Sequence, residues 1–101
     1  MIMSECNDHE SCMKACEACI DACLREGADE AAECIRKCRD CIDLCHLVAL
    51  LAARKSPLLA DAQALCRKAC EACAAACERH ADAACLACAA ACRACADGCA
   101  P

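Results

Sequence analysis

The sequence predicts an all-α protein: an antiparallel up-down-up-down four-helix bundle built from a duplicated helical hairpin. Three observations carry that prediction. The 101-residue chain holds only two glycines and two prolines, so little in it interrupts a helix. Its 18 cysteines fall mostly into four clusters with steps of four and three residues in alternation, the a/d rhythm of helices packed in a bundle. The clusters also repeat. A shift of 54 residues carries Cys12, Cys16, Cys19 and Cys23 onto Cys66, Cys70, Cys73 and Cys77, and Cys34, Cys38, Cys41 and Cys45 onto Cys88, Cys92, Cys95 and Cys99. The segment Lys14 to Cys19 recurs residue for residue as Lys68 to Cys73.

The elements follow in order. A first helix is expected over residues 4–26 and carries the first cluster. Gly27, Ala28 and Asp29 then make a short turn, with Asp29 as N-cap of a second helix over 29–54. Ser56 and Pro57 read as an N-cap and a first-turn proline, opening a third helix over 57–80. His80, Ala81 and Asp82 occupy the place that Glu26, Gly27 and Ala28 hold in the first hairpin, and a fourth helix over 82–98 carries Cys85 and the last repeat of the pattern. Connections this short make neighbouring helices antiparallel. Residues 1–101 are then one domain with one core. The four cysteine stripes must face a common axis, because no other a/d pattern is sustained. Glu17, Asp21, Lys37, Asp40, Arg67 and Glu78 fall off the stripes and face water.

Composition narrows the function. A net charge of −5, no basic run and no aromatic residue give nothing to bind nucleic acid. The longest strongly apolar stretch, Leu44 to Ala53, is too short to span a membrane. The N-terminus lacks a basic region followed by an apolar run, so a cytoplasmic chain with reduced thiols is expected, not a loop-rich disulfide scaffold. Ser4, Ser11 and Ser56 have no base beside them in sequence, and Cys16–Cys19 lacks the strand–turn–helix setting of a redox C-x2-C motif. The chain reads as a non-enzyme.

Buried cysteine can serve as a small hydrophobe. That role does not explain why sulfur displaces Leu, Ile and Val from nearly every central position, since larger side chains bury more area at about 25 cal/mol per Å². Soft thiolates instead suit Cu(I), Zn(II) or an iron–sulfur cluster. The ferredoxin spacing is absent. Zinc prefers four tetrahedral ligands, which facing helices could supply at a few levels, whereas Cu(I) accepts two or three, as from Cys12 and Cys16 or Cys34 and Cys38. One Cu(I) per bridging thiolate is also neutral, which removes the cost of burying ionised sulfur. The reading is copper storage by Cu(I) ions on the order of one per cysteine. The ligands are Cys6, Cys12, Cys16, Cys19, Cys23, Cys34, Cys38, Cys41, Cys45, Cys66, Cys70, Cys73, Cys77, Cys85, Cys88, Cys92, Cys95 and Cys99. The alternatives are a metallothionein-like zinc or cadmium buffer and a redox-sensing thiol protein.

The ends of the bundle differ. Leu47, Val48, Leu50, Leu51, Leu58, Leu59 and Leu65 gather at one end as an apolar plug, while Glu26, Asp29, Glu30, His80 and Asp82 make the other end polar. Copper is expected to enter at the polar end, where His80 continues the stripe three residues after Cys77; capping of the third helix is its other reading. His9, three residues before Cys12, is a candidate extra ligand, although its place near the terminus favours solvation. His46 points off its stripe as a partly exposed packing residue, and Met1, Met3 and Met13 receive no role.

Helical C-x3-C-x2-C-x3-C stripes repeated through four helices without aromatics resemble the bacterial copper storage proteins, and the absence of a signal peptide resembles their cytosolic branch. The resemblance spans essentially the whole chain. It implies a four-helix bundle, Cu(I) loaded into the tube through the cysteines, and assembly into a homotetramer. Cys6, off the regular repeat, fits the pattern least well.

Overall fold

Four helices form where the chain lacks breakers: α1 (Asp8–Glu26), α2 (Asp29–Ala53), α3 (Leu59–Cys77) and α4 (Ala83–Gly98). The computed structural model describes residues 8–27 and 29–98. Residues 4–7, expected in the first helix, lie outside that range. Among the described residues there is no strand.

The helix ends have local causes. Gly27 takes a positive φ of 72° and its N–H bonds the Cys23 carbonyl at 3.0 Å, closing α1 with the conformation glycine adopts without steric penalty. At the end of α2, Lys55 adopts φ 53°. The Ser56 N–H reaches the Leu51 carbonyl at 2.9 Å and the Lys55 N–H reaches that of Ala52 at 3.2 Å, the paired bonds of a Schellman motif. The third helix is shorter at both ends than the expected 57–80. The Ser56 hydroxyl accepts from the Leu58 N–H at 3.1 Å, so Pro57 and Leu58 form a turn before the helix. Past Cys77, Arg79 and His80 donate to the carbonyls three residues back, which tightens the last turn out of α geometry. Asp82 stands before α4 and caps it, accepting from the Ala84 N–H at 2.8 Å.

Each helix packs against two neighbours, α1 and α3 both lying against α2 and α4, and no diagonal pair of backbones approaches. The bundle measures 41 × 20 × 17 Å, and α2, whose 25 residues rise about 37 Å, spans most of its length. The axis left between the four backbones is filled by side chains. All sixteen described cysteines are buried there, together with Ile20, Ala31, Val48, Leu51, Ala62, Ala74, Ala89 and Ala96. Exposed ion pairs such as Arg93–Glu78 (3.0 Å) and Arg79–Glu33 (3.4 Å) tie adjacent helices on the outside, where each contributes little.

Candidate metal centre

The a/d phase of each helix turns its cysteines inward, and antiparallel packing brings sulfurs from all four helices to common levels. Groups of four converge in sequence along the tube: Cys12, Cys45, Cys70 and Cys95; then Cys12, Cys16, Cys41 and Cys92; then Cys16, Cys38, Cys73 and Cys88; then Cys19, Cys23, Cys34 and Cys85. Within each group the Sγ atoms lie within 4.8 Å of one another. Cys12 and Cys16 each belong to two adjacent groups, so the first three levels are joined by shared sulfurs.

The joins form a continuous path. From the α3 N-terminal side it runs Cys66–Cys70 (3.9 Å), Cys70–Cys41 (3.5 Å), Cys41–Cys12 (3.3 Å) and Cys12–Cys92 (3.7 Å). It continues Cys92–Cys88 (3.9 Å), Cys88–Cys38 (3.9 Å), Cys38–Cys73 (3.7 Å) and Cys73–Cys77 (4.0 Å). Cys77–Cys19 (3.7 Å), Cys19–Cys85 (3.3 Å) and Cys85–Cys23 (4.0 Å) complete it. These separations are far beyond a disulfide bond of about 2.05 Å, and no disulfide joins any of the sixteen described cysteines. They are separations at which one soft cation can touch two or more sulfurs. Cys6 and Cys99 lie outside the described residues.

Most of the shifted thiols are held above their ordinary range, by burial at one end of the tube and chiefly by contacts with other thiols in its middle. Burial pushes the Cys23 thiol up from 9.0 to about 12, reinforced by its contact with Cys34. Desolvation is also the main cause that raises Cys19 and Cys85. Farther in, thiol–thiol hydrogen bonds divide the clusters. The contact between Cys12 and Cys16 favours thiolate at Cys12 and thiol at Cys16. A cation arriving in the tube therefore has to displace protons.

The two ends differ in kind. At the polar end a hollow of about 460 Å³ is lined by Glu26, Glu33, Cys34, Arg79 and His80, among others. His80 is half-buried there, at the end of α3. Asp82 and Glu26 line a second hollow of about 320 Å³ with Arg25. The side chains of Asp29 and Glu30 lie outside the described residues. Every described cysteine has zero exposure except Cys23 and Cys85, each 1 % exposed, and both sit at this end. Sequence reasoning missed Glu33 and Arg79. Glu33 precedes Cys34 and Arg79 precedes His80, but only the fold joins them into one lining.

At the closed end the apolar plug is smaller than expected. Val48 and Leu51 are buried and Leu59 is partly buried, but Leu47, Leu50, Leu58 and Leu65 are exposed. The buried pair continues the stripe of Cys41 and Cys45; the exposed leucines fall on other faces. His9 also departs from the expectation of a solvated end residue. It is 3 % exposed, and its Nδ1 lies 3.2 Å from Cys95 Sγ. With Cys45, Cys66 and Cys95 it forms another four-donor group whose ligand atoms all lie within 4.8 Å. His46 is exposed, as its phase predicted, and Met13 packs half-buried against the core. Met1 and Met3 lie outside the described residues.

Known proteins share both pattern and fold. A family model described as copper storage protein matches residues 2–101. The Cu(I)-bound copper storage protein BsCsp3 superposes with a TM-score of 0.86 at 40 % identity, over 91 % of this chain and 88 % of that one. The apo form of copper storage protein 3 from Bacillus subtilis gives 0.84 at 39 % identity over the same shares. Comparison with curated protein sequences finds no match. With its cysteine-lined bundle and a family match over nearly its full length, this chain belongs to the copper storage protein family.

Proposed function

We propose that this copper storage chain admits Cu(I) at its polar end and passes it inward from sulfur to sulfur until the tube is full. The observation that carries the reading is the unbroken path of core sulfurs in steps of 3.3 to 4.0 Å. Each inward step makes one Cu–S bond as another breaks, so no ion need leave the ligand shell of the tube. The ligands are the sixteen described cysteines with Cys6 and Cys99, and capacity is on the order of one ion per cysteine. Each ion enters as a thiol releases its proton, leaving a neutral Cu–thiolate interior.

Several features support the polar end as the entrance. Cys23 and Cys85 alone among the described cysteines retain any exposure. The hollow beside them reaches Cys34 and carries His80, a nitrogen donor able to hand an ion inward. The opposite end is closed by Val48 and Leu51, with His9 as the last donor of the row. The chain works as one domain by binding alone, with no catalytic step. Thiols not joined in disulfides suit a reducing compartment such as the cytoplasm, and among the described residues no helix is long and apolar enough to cross a membrane. Assembly as a homotetramer follows the family resemblance, and exposed Leu24, Leu47, Leu50, Leu58, Leu65 and Leu86 provide apolar surface for it.

The test is an anaerobic titration of the reduced chain with Cu(I) against a Cu(I)-specific chelator. Storage predicts tight binding up to roughly one ion per cysteine. Saturation at about one ion per four thiols, with zinc binding as tightly as copper, would instead identify a zinc or cadmium buffer.

A further inference from the structure

The closed end differs chemically from the rest of the tube. Its donor group contains a nitrogen, the Nδ1 of His9 from α1, with one sulfur from each other helix: Cys45 from α2, Cys66 from α3 and Cys95 from α4. We propose that this Cys3His group is a site for a single tetrahedral divalent cation of the Zn(II) class, occupied in the copper-poor protein.

The argument starts from edge lengths. A tetrahedral ion with Zn–S of about 2.3 Å and Zn–N of about 2.0 Å needs S···S edges of about 3.8 Å and S···N edges of about 3.5 Å. Cys45–Cys66 is 3.8 Å, Cys45–Cys95 is 3.7 Å and His9 Nδ1–Cys95 is 3.2 Å. Three of the six edges thus stand close to the required lengths, and the other three lie within 4.8 Å.

Charge separates this level from the all-sulfur groups, whose edges are similar. Zn(II) with four thiolates carries −2, whereas with three thiolates and neutral imidazole it carries −1, and the smaller charge costs less to bury. His9 also lies in the first turn of α1, whose positive N-terminal end offsets a residual negative charge. Finally, a ring nitrogen serves one ion only, while thiolate sulfur can bridge two. A row of bridged ions must end at His9, and a mononuclear ion fits there. The ion would fasten the start of α1 to the other three helices at the end opposite the entrance, leaving the tube beyond it open to Cu(I). Zinc loads by displacing protons from Cys45, Cys66 and Cys95, with no change of oxidation state.

The proposal concerns the full-length, reduced, copper-free chain, so it can fail while the copper reading stands. Co(II) serves as a coloured probe for the same ligand set, displaced by equimolar Zn(II). The first equivalent of Co(II) should show a tetrahedral spectrum with charge-transfer intensity of three thiolates. X-ray absorption of the one-zinc protein should give one nitrogen and three sulfurs. His9→Ala and His9→Gln should weaken the first equivalent at least tenfold or convert it to a four-sulfur spectrum, Cys66→Ser should remove one thiolate from it, and His46→Ala should leave it unchanged. A four-sulfur first site in the unmodified chain, a first site indifferent to His9→Ala, or no tight equivalent at all would overturn the proposal. The absorption measurement on the unmodified chain decides the matter even where a variant folds poorly. Cu(I) capacity, measured separately, reports on storage.

Discussion

Raising the pH should unfold the metal-free chain, and copper should prevent it. Cys23 is 1 % exposed, and burial holds its thiol at about 12 against an ordinary 9.0. A folded-state pKa raised in this way contributes stability that is complete below about pH 9 and is lost as the pH climbs toward about 12. Each such thiol costs the folded state about 1.4 kcal/mol per pH unit within that window, so Cys23 alone accounts for up to about 4 kcal/mol across it. Cys19 and Cys85 are raised in the same direction by the same desolvation. The fall should therefore be steeper than Cys23 alone gives, against a total stability of about 5–15 kcal/mol for a domain.

The assay is urea unfolding of the reduced apo chain, followed by helical circular dichroism under anaerobic conditions across the pH range. The midpoint should be flat through neutrality and fall steeply above about pH 9. Cys23→Ser should make the fall shallower by about 1.4 kcal/mol per pH unit. The copper-loaded chain, with its thiols already deprotonated, should show no alkaline fall and should weaken toward acid pH, where protons compete for sulfur. An apo midpoint that stays level to about pH 11, or rises with pH, would refute the picture of a core held together as neutral thiols.

Four further outcomes follow. Loading Cu(I) at neutral pH should release about one proton per ion in a pH-stat, and no release would contradict thiolate ligation. Replacing both Cys23 and Cys85 by serine should slow stopped-flow uptake roughly tenfold, equivalent to about 1.4 kcal/mol on the barrier, whereas Cys45→Ser with Cys66→Ser should leave the rate unchanged; equal slowing by both pairs would rule out polar-end entry. Leu51→Ala, at the buried closed end, should cost about 3 kcal/mol in apo unfolding and leave copper capacity intact. Gly27→Ala should cost about 1 kcal/mol, because its Cβ would meet nothing within 4 Å and only the positive φ resists the change.

What was legible in the sequence depended on phase. The steps between cysteines fixed which face of each helix turns inward, and the shift that superposes the two halves fixed the number of helices. Phase also decides the cases that composition misjudged. Leu47, Val48, Leu50 and Leu51 form a nearly continuous apolar run, yet only Val48 and Leu51 extend the line of Cys41 and Cys45 into the core. His9 lies on the stripe of Cys12, and that register prevailed over its nearness to the chain end. The helix boundaries of α3 were harder to read. They depend on a side-chain bond from Ser56 and on carbonyls taken up three residues back, neither of which leaves a periodic signal. The lining of the polar hollow was beyond sequence reading altogether, since Glu33 and Arg79 sit in different hairpins and meet only when α2 lies beside α3.

Filling a bundle with sulfur in place of leucine has an energetic consequence that bears on storage. Among the described residues Val48 is the largest fully buried side chain, and nearly everything else at full burial is cysteine or alanine. Such a core removes less apolar surface from water than a leucine core of the same length, so the metal-free fold draws less on the hydrophobic effect. Ions that bind the folded tube and not the unfolded chain stabilise it by RT ln(1 + [L]/Kd), a term that grows with each further equivalent. Stability and copper content are therefore coupled through the same sulfurs. As copper leaves, each vacated thiolate regains a proton and the fold loses a crosslink between helices. The empty chain is then the form most open to denaturant and protease, and the full chain the least.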